Sequence, residues 1–167
     1  MQMRRSAPGP MMEVMRKRSI ESVYATDHPR LWRALHAYSG DRDIASDAAA
    51  EAFAQALRRG SEIRDPAAWI WRAAFRIASG LLKDRRTTVT VSQLGEIGEA
   101  EEPVVHLLES LGALSEQQRA IVSLRYVGEL DIAKIAGALD TSPNTVRVQL
   151  HRAHKTLRTT FGDTDGA

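Results

Sequence analysis

Residues 131–158 read DIAKIAGALDTSPNTVRVQLHRAHKTLR, and this stretch decides the fold of the C-terminal part of the chain. Its apolar spacing predicts a short helix over Ile132–Leu139. Ser142 is a good N-cap and Pro143 is favoured at the first position of a helix, so a second helix is expected to run from there to about Thr160. Two short helices separated by a tight polar turn have the dimensions of a helix-turn-helix.

The apolar residues of these two helices recur at helical spacing, so one face of each helix is expected to be buried against the other. The polar face of the second helix then projects into solvent. Arginine and asparagine read base edges bidentately in the major groove, and basic side chains bind phosphates. The residues expected to contact DNA, here named the reading face, are Asn144, Thr145, Arg147, Val148, His151, Arg152 and Lys155.

The same pattern has an alternative interpretation. In it the chain is a helical bundle whose basic face is exposed to solvent and binds no DNA. His151 and His154 stand three residues apart, but no cysteine or carboxylate accompanies them, so they are expected to be surface residues. No metal site and no cofactor is predicted. The chain contains no cysteine, which excludes disulfides and thiolate metal sites. It also shows no nucleophile elbow, phosphate-binding loop or dinucleotide fingerprint, so nothing in the sequence supports an enzyme.

Three longer helices are predicted in the first half of the chain, over residues 20–39, about 42–59 and 66–86. The first ends at Gly40. Asp41 or Asp43 is the expected N-cap of the second helix, and Asp65 followed by Pro66 opens the third. These helices are long enough to form a small helical domain by themselves.

The third helix interleaves Trp69, Trp71 and Phe75 with Arg72 and Arg76. Aromatic rings can stack on bases and cations can bind phosphates, so this combination is a candidate for a nucleic-acid contact. At this spacing, however, two of the three aromatic residues are expected to belong to the hydrophobic core. The arginines are therefore the first candidates for a DNA contact.

Residues 87–103 are rich in Thr, Ser, Gly and Glu and show no periodicity, which predicts a flexible acidic linker. Such a segment is either a solvated spacer or a shield for the basic helices beside it. Beyond it, residues 104–161 form the helix-turn-helix domain, with a first helix over Val104–Leu111. A capping-box pattern, Ser115-Glu-Gln-Gln118, starts the next helix.

The predicted fold class is all-α, with two small helical domains joined by a flexible linker, the C-terminal one a helix-turn-helix. Residues 1–18 are expected to be a disordered basic tail, and residues 19–86 form the first domain. Aromatic residues make up only 5% of the chain while Ala, Leu and Arg are abundant, which favours helices over sheets. The formal net charge of +2 is too small to indicate an anionic partner without the clustering described above. No apolar run is long enough to predict a membrane insertion.

The C-terminal motifs closely resemble the DNA-binding domain of extracytoplasmic-function (ECF) sigma factors of bacterial RNA polymerase. The resemblance lies in the stretch LSEQQRAIVSLRYVGEL from Leu114, in Ile135-Ala136 and in SPNTVRVQLHRA from Ser142. The first half of the chain is similar to the same family, in the run DAAAEAFAQAL from Asp47 and in RDPAAW from Arg64. Together the matches span roughly residues 19–161 in the family's order.

The resemblance implies a cytoplasmic transcription-initiation factor that is not an enzyme. Its partners would be core RNA polymerase, promoter DNA and, as a further candidate, an anti-sigma factor. A docking set would bind the clamp helices of the largest polymerase subunit, and comprises Asp47, Glu51 and Phe53. A melting set would hold the separated promoter strand, and comprises Arg64, Trp71, Arg72, Arg76, Lys83 and Arg85. The reading face would recognise the upstream promoter element.

Three positions depart from the family pattern. Ala48-Ala49-Ala50 stands where the family has larger side chains in its polymerase-binding motif. Val148-Gln149 replaces a common Ser-Arg, which is expected to alter promoter preference, with Val148 placed to touch a thymine methyl. Lys134 stands where an acidic residue is usual.

Two other classes of protein remain open from the sequence. One is a stand-alone helix-turn-helix regulator of the response-regulator output type, which would leave the run from Asp47 to Leu57 and the RDPAAW helix unexplained. The other is a sigma-like protein that has lost initiation and only sequesters partners.

Overall fold

The computed structural model describes residues 10–88 and 109–162, with side chains from 19 to 85 and from 109 to 162. Every regular element in these two ranges is helical, as predicted. The N-terminal half consists of α1 (Pro10–Ser39), α2 (Arg42–Arg59), a 3₁₀ turn (Gly60–Glu62) and α3 (Pro66–Thr88). The C-terminal half consists of a helical turn at 109–112, α4 (Glu116–Val122), a π-helical turn (Ser123–Val127), α5 (Ile132–Ala138) and α6 (Pro143–Gly162).

The helices begin where the sequence places its caps. The Asp41 carboxylate accepts hydrogen bonds from the backbone N–H groups of Asp43 and Ile44, which starts α2. Ser115 and Gln118 exchange both bonds of a capping box at the start of α4. Each cap satisfies amide groups that have no partner within the helix and contributes about 1 kcal/mol. The predictions of these helix starts are confirmed.

The first helix is longer than predicted. It begins at Pro10 and not near Ile20, so it includes half of the segment that we expected to be a disordered tail. Proline is favourable at the first helical position, and residues 11–18 are mostly good helix formers. Residues 87 and 88 of the predicted linker belong to α3. Residues 1–9, residues 89–103 of the linker and the first part of the predicted helix over Val104–Leu111 lie outside the described residues.

Alanine makes the close packing of the N-terminal helices possible. Ala48, Ala49, Ala52 and Ala56 of α2 are fully buried, whereas Ala50 faces solvent. Small side chains let helix backbones approach one another, so the alanine run serves the packing of α2 between α1 and α3. Two large apolar side chains of this half are exposed, Tyr24 at 54% and Leu57 at 59%.

The two halves of the chain share one hydrophobic core. Ile70, Ala74 and Phe75 of α3 belong to the same buried cluster as Leu124 and Ile135 of the C-terminal half. A second, smaller cluster lies within the C-terminal half and is formed by Leu111, Leu114, Val122 and Ala153. The two predicted helical domains therefore pack against each other, with α1 and α3 of the first lying against the C-terminal half.

Candidate nucleic-acid interface

The turn between α5 and α6 has the geometry of a helix-turn-helix. Asp140 adopts φ of +52°, a left-handed conformation that aspartate tolerates at the end of a helix. The Thr141 amide donates to the Ala136 carbonyl at 3.0 Å, which closes α5. The Ser142 hydroxyl then accepts from the Thr145 amide at 3.1 Å, which opens α6. This short turn fixes the direction in which α6 leaves α5.

The reading face lies on the solvent side of α6. Val146 and Ala153 are fully buried against the rest of the C-terminal half. The side chains that were expected to face DNA are exposed except Thr145, which is half-buried and whose hydroxyl lies 2.8 Å from that of Ser142. Thr145 is thus engaged in the cap of its own helix. The exposed members are Asn144, Arg147, Val148, His151, Arg152 and Lys155.

Gln149 has a structural partner that the sequence did not indicate. The Gln118 amide donates to the Gln149 side-chain oxygen at 3.2 Å, and Gln118 is also the capping-box residue of α4. Gln149 is half-buried, so it faces α4 and not the exposed surface of α6. Its position three residues after the buried Val146 was the available signal, because residues three apart share a helix face.

Some residues of the melting set are exposed to solvent, and others lie at the contact between the two halves of the chain. Arg64, Arg76 and Lys83 are exposed, whereas Trp71 is only 3% exposed. The Trp71 indole N–H donates to the Asp27 carboxylate at 2.8 Å. In this conformation Trp71 is a core residue, which agrees with the expectation that most of the aromatic residues of this helix are buried.

The two remaining members of the melting set are held in ion pairs. Arg72 lies 3.6 Å from the Asp140 carboxylate in the turn before α6. Arg85 pairs with Asp41 and lies 3.7 Å from Asp43, so it ties the end of α3 to the start of α2. An arginine that is paired with carboxylates must break those ion pairs before it can bind a phosphate.

The docking set does not lie on one surface. Asp47 and Glu51 are exposed one turn apart on α2, while Phe53 is 6% exposed and lies under Tyr24 in an edge-to-face contact. Hydrogen bonds from Gln55 and Arg58 hold the pKa of Glu51 below its ordinary value, so this carboxylate is negatively charged at neutral pH. The structure thus presents two carboxylates on the outer surface of α2, with Arg58 paired to Glu51, whereas Phe53 packs against α1.

Several polar contacts join the two halves around α3. The Tyr38 hydroxyl donates to the Glu116 carboxylate at 2.7 Å, and the Ser79 hydroxyl donates to the same oxygen at 3.1 Å. The Arg119 guanidinium donates to the Tyr38 carbonyl at 2.7 Å. Burial and the bond to Glu116 raise the pKa of Tyr38 to about 12, so the hydroxyl is a donor at neutral pH. Glu116 was visible in the sequence only as part of a capping box.

The described residues contain no group of three or more His, Asp or Glu side chains arranged to hold a metal ion. Within the same ranges, none of the helices combines the length and the apolar character needed to cross a membrane.

The C-terminal half matches a known family. The family described as "Sigma-70, region 4" matches residues 106–157, a range that contains both helices of the helix-turn-helix.

Two curated relatives are similar over most of the chain. RNA polymerase sigma factor SigV of Bacillus subtilis (strain 168) is 28% identical over 142 residues, which cover 80% of this chain and 86% of the relative. ECF RNA polymerase sigma factor BldN of Streptomyces coelicolor is 27% identical over 143 residues, which cover 76% of this chain and 54% of the relative. The similarity therefore includes the N-terminal half as well as the helix-turn-helix.

Two solved structures share the fold. The sigma factor RpoE from Bartonella quintana, in complex with the anti-sigma factor NepR, superposes with a TM-score of 0.70 at 17% identity, covering 85% of this chain and 96% of that one. CnrH, in complex with the cytosolic domain of CnrY, superposes with a TM-score of 0.69 at 19% identity, covering 93% and 97%.

Proposed function

We propose that the chain is a sigma factor of the ECF type, which works in the bacterial cytoplasm, where it binds core RNA polymerase and directs promoter-specific transcription initiation. The observation that carries this proposal is the exposed, polar and basic face of α6 on a completed helix-turn-helix. The stand-alone regulator is not favoured, because the similarity to SigV covers 80% of the chain and so includes the helices before the helix-turn-helix. The protein recognises and positions its partners, and has no catalytic step of its own.

The upstream promoter element is read by α6. Asn144 and Arg147 project from its first turns, the part of a recognition helix that meets base edges. Arg147 is suited to guanine, and Val148 offers an apolar contact to a thymine methyl. Arg152 and Lys155 lie further along the helix, where they bind phosphates and hold the helix in register. Gln149 takes no part in the reading because it is bonded to Gln118.

The separated promoter strand is held by the N-terminal half. Arg64 lies in the loop before α3, and Arg76 and Lys83 are exposed along α3 itself. Cations that follow a strand backbone bind single-stranded DNA with little sequence preference. Trp71 adds base stacking once its ring is uncovered.

Core polymerase binds to the outer surface of α2. Asp47 and Glu51 provide the negative charge there, and Leu57 provides an apolar side chain that is 59% exposed. Phe53 acts from beneath, by supporting Tyr24. A surface that combines exposed apolar and acidic residues suits a protein partner better than DNA, because carboxylates repel phosphates.

An anti-sigma factor is included among the partners. RpoE, which shares this fold, was solved with the anti-sigma factor NepR. A protein that covers α2 or α3 would prevent the contacts to polymerase and to DNA proposed above.

In vitro transcription with bacterial core polymerase and a library of promoter fragments tests the proposed function. We expect transcripts that start at defined promoter positions and that depend on the added chain. Arg147→Ala should reduce these transcripts, while Arg33→Ala, which replaces an exposed arginine outside the reading face, the docking set and the melting set, serves as the matched control. If no template gave a promoter-specific transcript, the proposed function would be wrong. Duplex binding without polymerase binding in a pull-down would favour the stand-alone regulator.

A further inference from the structure

The Gln118 side chain connects the start of α4 to α6. Its amide oxygen accepts a hydrogen bond from the Ser115 backbone N–H at 3.3 Å, so this end of the amide is used by the capping box. Its amide nitrogen therefore points towards α6, where it donates to the Gln149 side-chain oxygen at 3.2 Å. Because the cap fixes which end of the Gln118 amide faces α6, Gln149 has to be the acceptor of this bond.

Gln149 lies at the border between the buried and the exposed faces of α6. Residues three apart on a helix are separated by about 60° around its axis, so Gln149 stands about 60° from the buried Val146 on one side and from the exposed Arg152 on the other. Gln149 itself is half-buried. The hydrogen bond to Gln118 therefore acts on the edge of α6, between its core face and its reading face.

The other contacts on the inner face of α6 are mainly apolar. Val146 and Ala153 are fully buried, and Leu150 packs against both hydrophobic clusters. Apolar contacts are non-directional, so they fix the rotation of a helix about its own axis less sharply than a hydrogen bond does. Tyr126 also forms a hydrogen bond to His154 of α6, but Tyr126 is 56% exposed, so water competes for that bond.

The rotation of α6 decides which base edges its side chains reach. A rotation of about 20° moves a side-chain tip that lies roughly 6 Å from the helix axis by about 2 Å. A hydrogen bond to a base edge tolerates much less, because its donor and acceptor atoms lie about 2.7 to 3.2 Å apart. Asn144 and Arg147 can therefore read a defined base pair only if the rotation of α6 is fixed.

We propose that the hydrogen bond between Gln118 and Gln149 sets the rotation of α6 in the DNA groove, and that this pair of positioning residues determines how selectively the chain recognises a promoter. The proposal rests on the proposed function, in which α6 reads the upstream promoter element. Asn144 and Arg147 make the base contacts. The two glutamines touch no base and act through the direction in which these side chains point.

Gln149→Met tests this proposal. Methionine has a similar length and helix propensity but offers no comparable acceptor to Gln118. The full chain is combined with core polymerase and a library of duplex promoter fragments randomised in the upstream element, and the transcripts are sequenced. The selectivity ratio is the yield from the preferred element divided by the yield from its single-base-pair variants. We expect Gln149→Met to lower this ratio about threefold to tenfold, at every base pair that α6 reads.

Gln149→Glu is the conservative variant, because a carboxylate still accepts the bond from Gln118. Its negative charge repels DNA phosphates, so we expect a lower yield from all templates and a selectivity ratio like that of the wild type. Gln117→Met is the matched control. It makes the same substitution at an exposed position of α4 beside Gln118, and should change neither the yield nor the ratio.

The selectivity ratio separates positioning from a purely structural role. Loss of folded protein lowers the yield from all templates equally and leaves the ratio unchanged, so a partly folded variant is still informative. An unchanged ratio in Gln149→Met would overturn the proposal. An equal loss of the ratio in Gln149→Glu would do the same, because the bond to Gln118 would then not be the cause.

Two further outcomes concern the role of Gln149 and the proposed function. A loss of preference at a single base pair in Gln149→Met would overturn the proposal, because Gln149 would then read that base pair itself. If the wild type gave no promoter-specific transcript, the proposed function would be wrong and this proposal with it. A selective wild type whose ratio Gln149→Met retains would overturn the positioning role alone.

Discussion

Val146→Ala is expected to destabilise the protein by about 2 kcal/mol. The Val146 side chain is fully buried on the inner face of α6. Loss of two methyl groups costs about 1.6 kcal/mol in transfer free energy, and the cavity adds roughly 1 kcal/mol. Alanine returns about 0.5 kcal/mol through its higher helix propensity. For a chain of this size the melting temperature should fall by about 4–8 °C.

Val148→Ala is the matched control, because it makes the same substitution on the same helix two residues later. Val148 is 40% exposed, so the loss of packing is small and the gain in helix propensity offsets it. Its stability should change by less than about 0.5 kcal/mol. Its promoter DNA binding should lose preference at one position, where we propose that the valine contacts a thymine methyl.

Urea denaturation followed by circular dichroism measures both variants, and a binding assay with single-position promoter mutants measures the DNA effect. If Val148→Ala destabilised the protein as much as Val146→Ala, the assignment of inner and outer faces to α6 would be wrong. Every residue of the reading face would then need to be assigned again.

Three further predictions concern the DNA contacts and the contact between the halves. Arg147→Ala should weaken binding to the upstream element by about 1–3 kcal/mol and relax preference at one base pair, whereas an equal loss on all sequences would identify a phosphate contact. Arg76→Ala should impair open-complex formation, followed by permanganate footprinting, more than initial binding; unchanged melting would remove it from the melting set. The pKa of Tyr38 is raised from 10.0 to about 12, so the free energy of unfolding should fall as the pH rises through this window. Tyr38→Phe should lack that part of the decrease, and identical pH profiles would contradict the assigned role of the hydroxyl.

The contact between the halves changes how variants in α3 should be interpreted. Trp71 contributes to the core and Arg72 pairs with Asp140, so replacing either residue alters the packing of the two halves as well as any DNA contact. Arg76 is exposed and forms no ion pair with any residue that the structure describes, which makes it the cleaner probe of strand binding. Glu116 and Asp140 also contact α3, although neither residue belongs to the melting set.

The helix-turn-helix was determined by the sequence itself. Ser142, Pro143 and the apolar spacing of Val146 and Ala153 specify where α6 begins and which face it buries. These are local properties: a cap satisfies amides within its own first turn, and helical periodicity assigns a face without knowledge of the partner. The exposure of Arg147 follows from the same local rules.

The tertiary structure alone decided what lies opposite α3. The sequence places Trp71 on one face of α3 but does not indicate whether DNA or protein covers that face. In the structure the backbone of Gly128, 57 residues further along the chain, lies close to the Trp71 ring, so protein covers it. The same holds for Gln149, whose partner Gln118 lies on another helix. Periodicity states that a face will be buried, but the identity of the covering surface depends on contacts between distant residues, which no local pattern encodes.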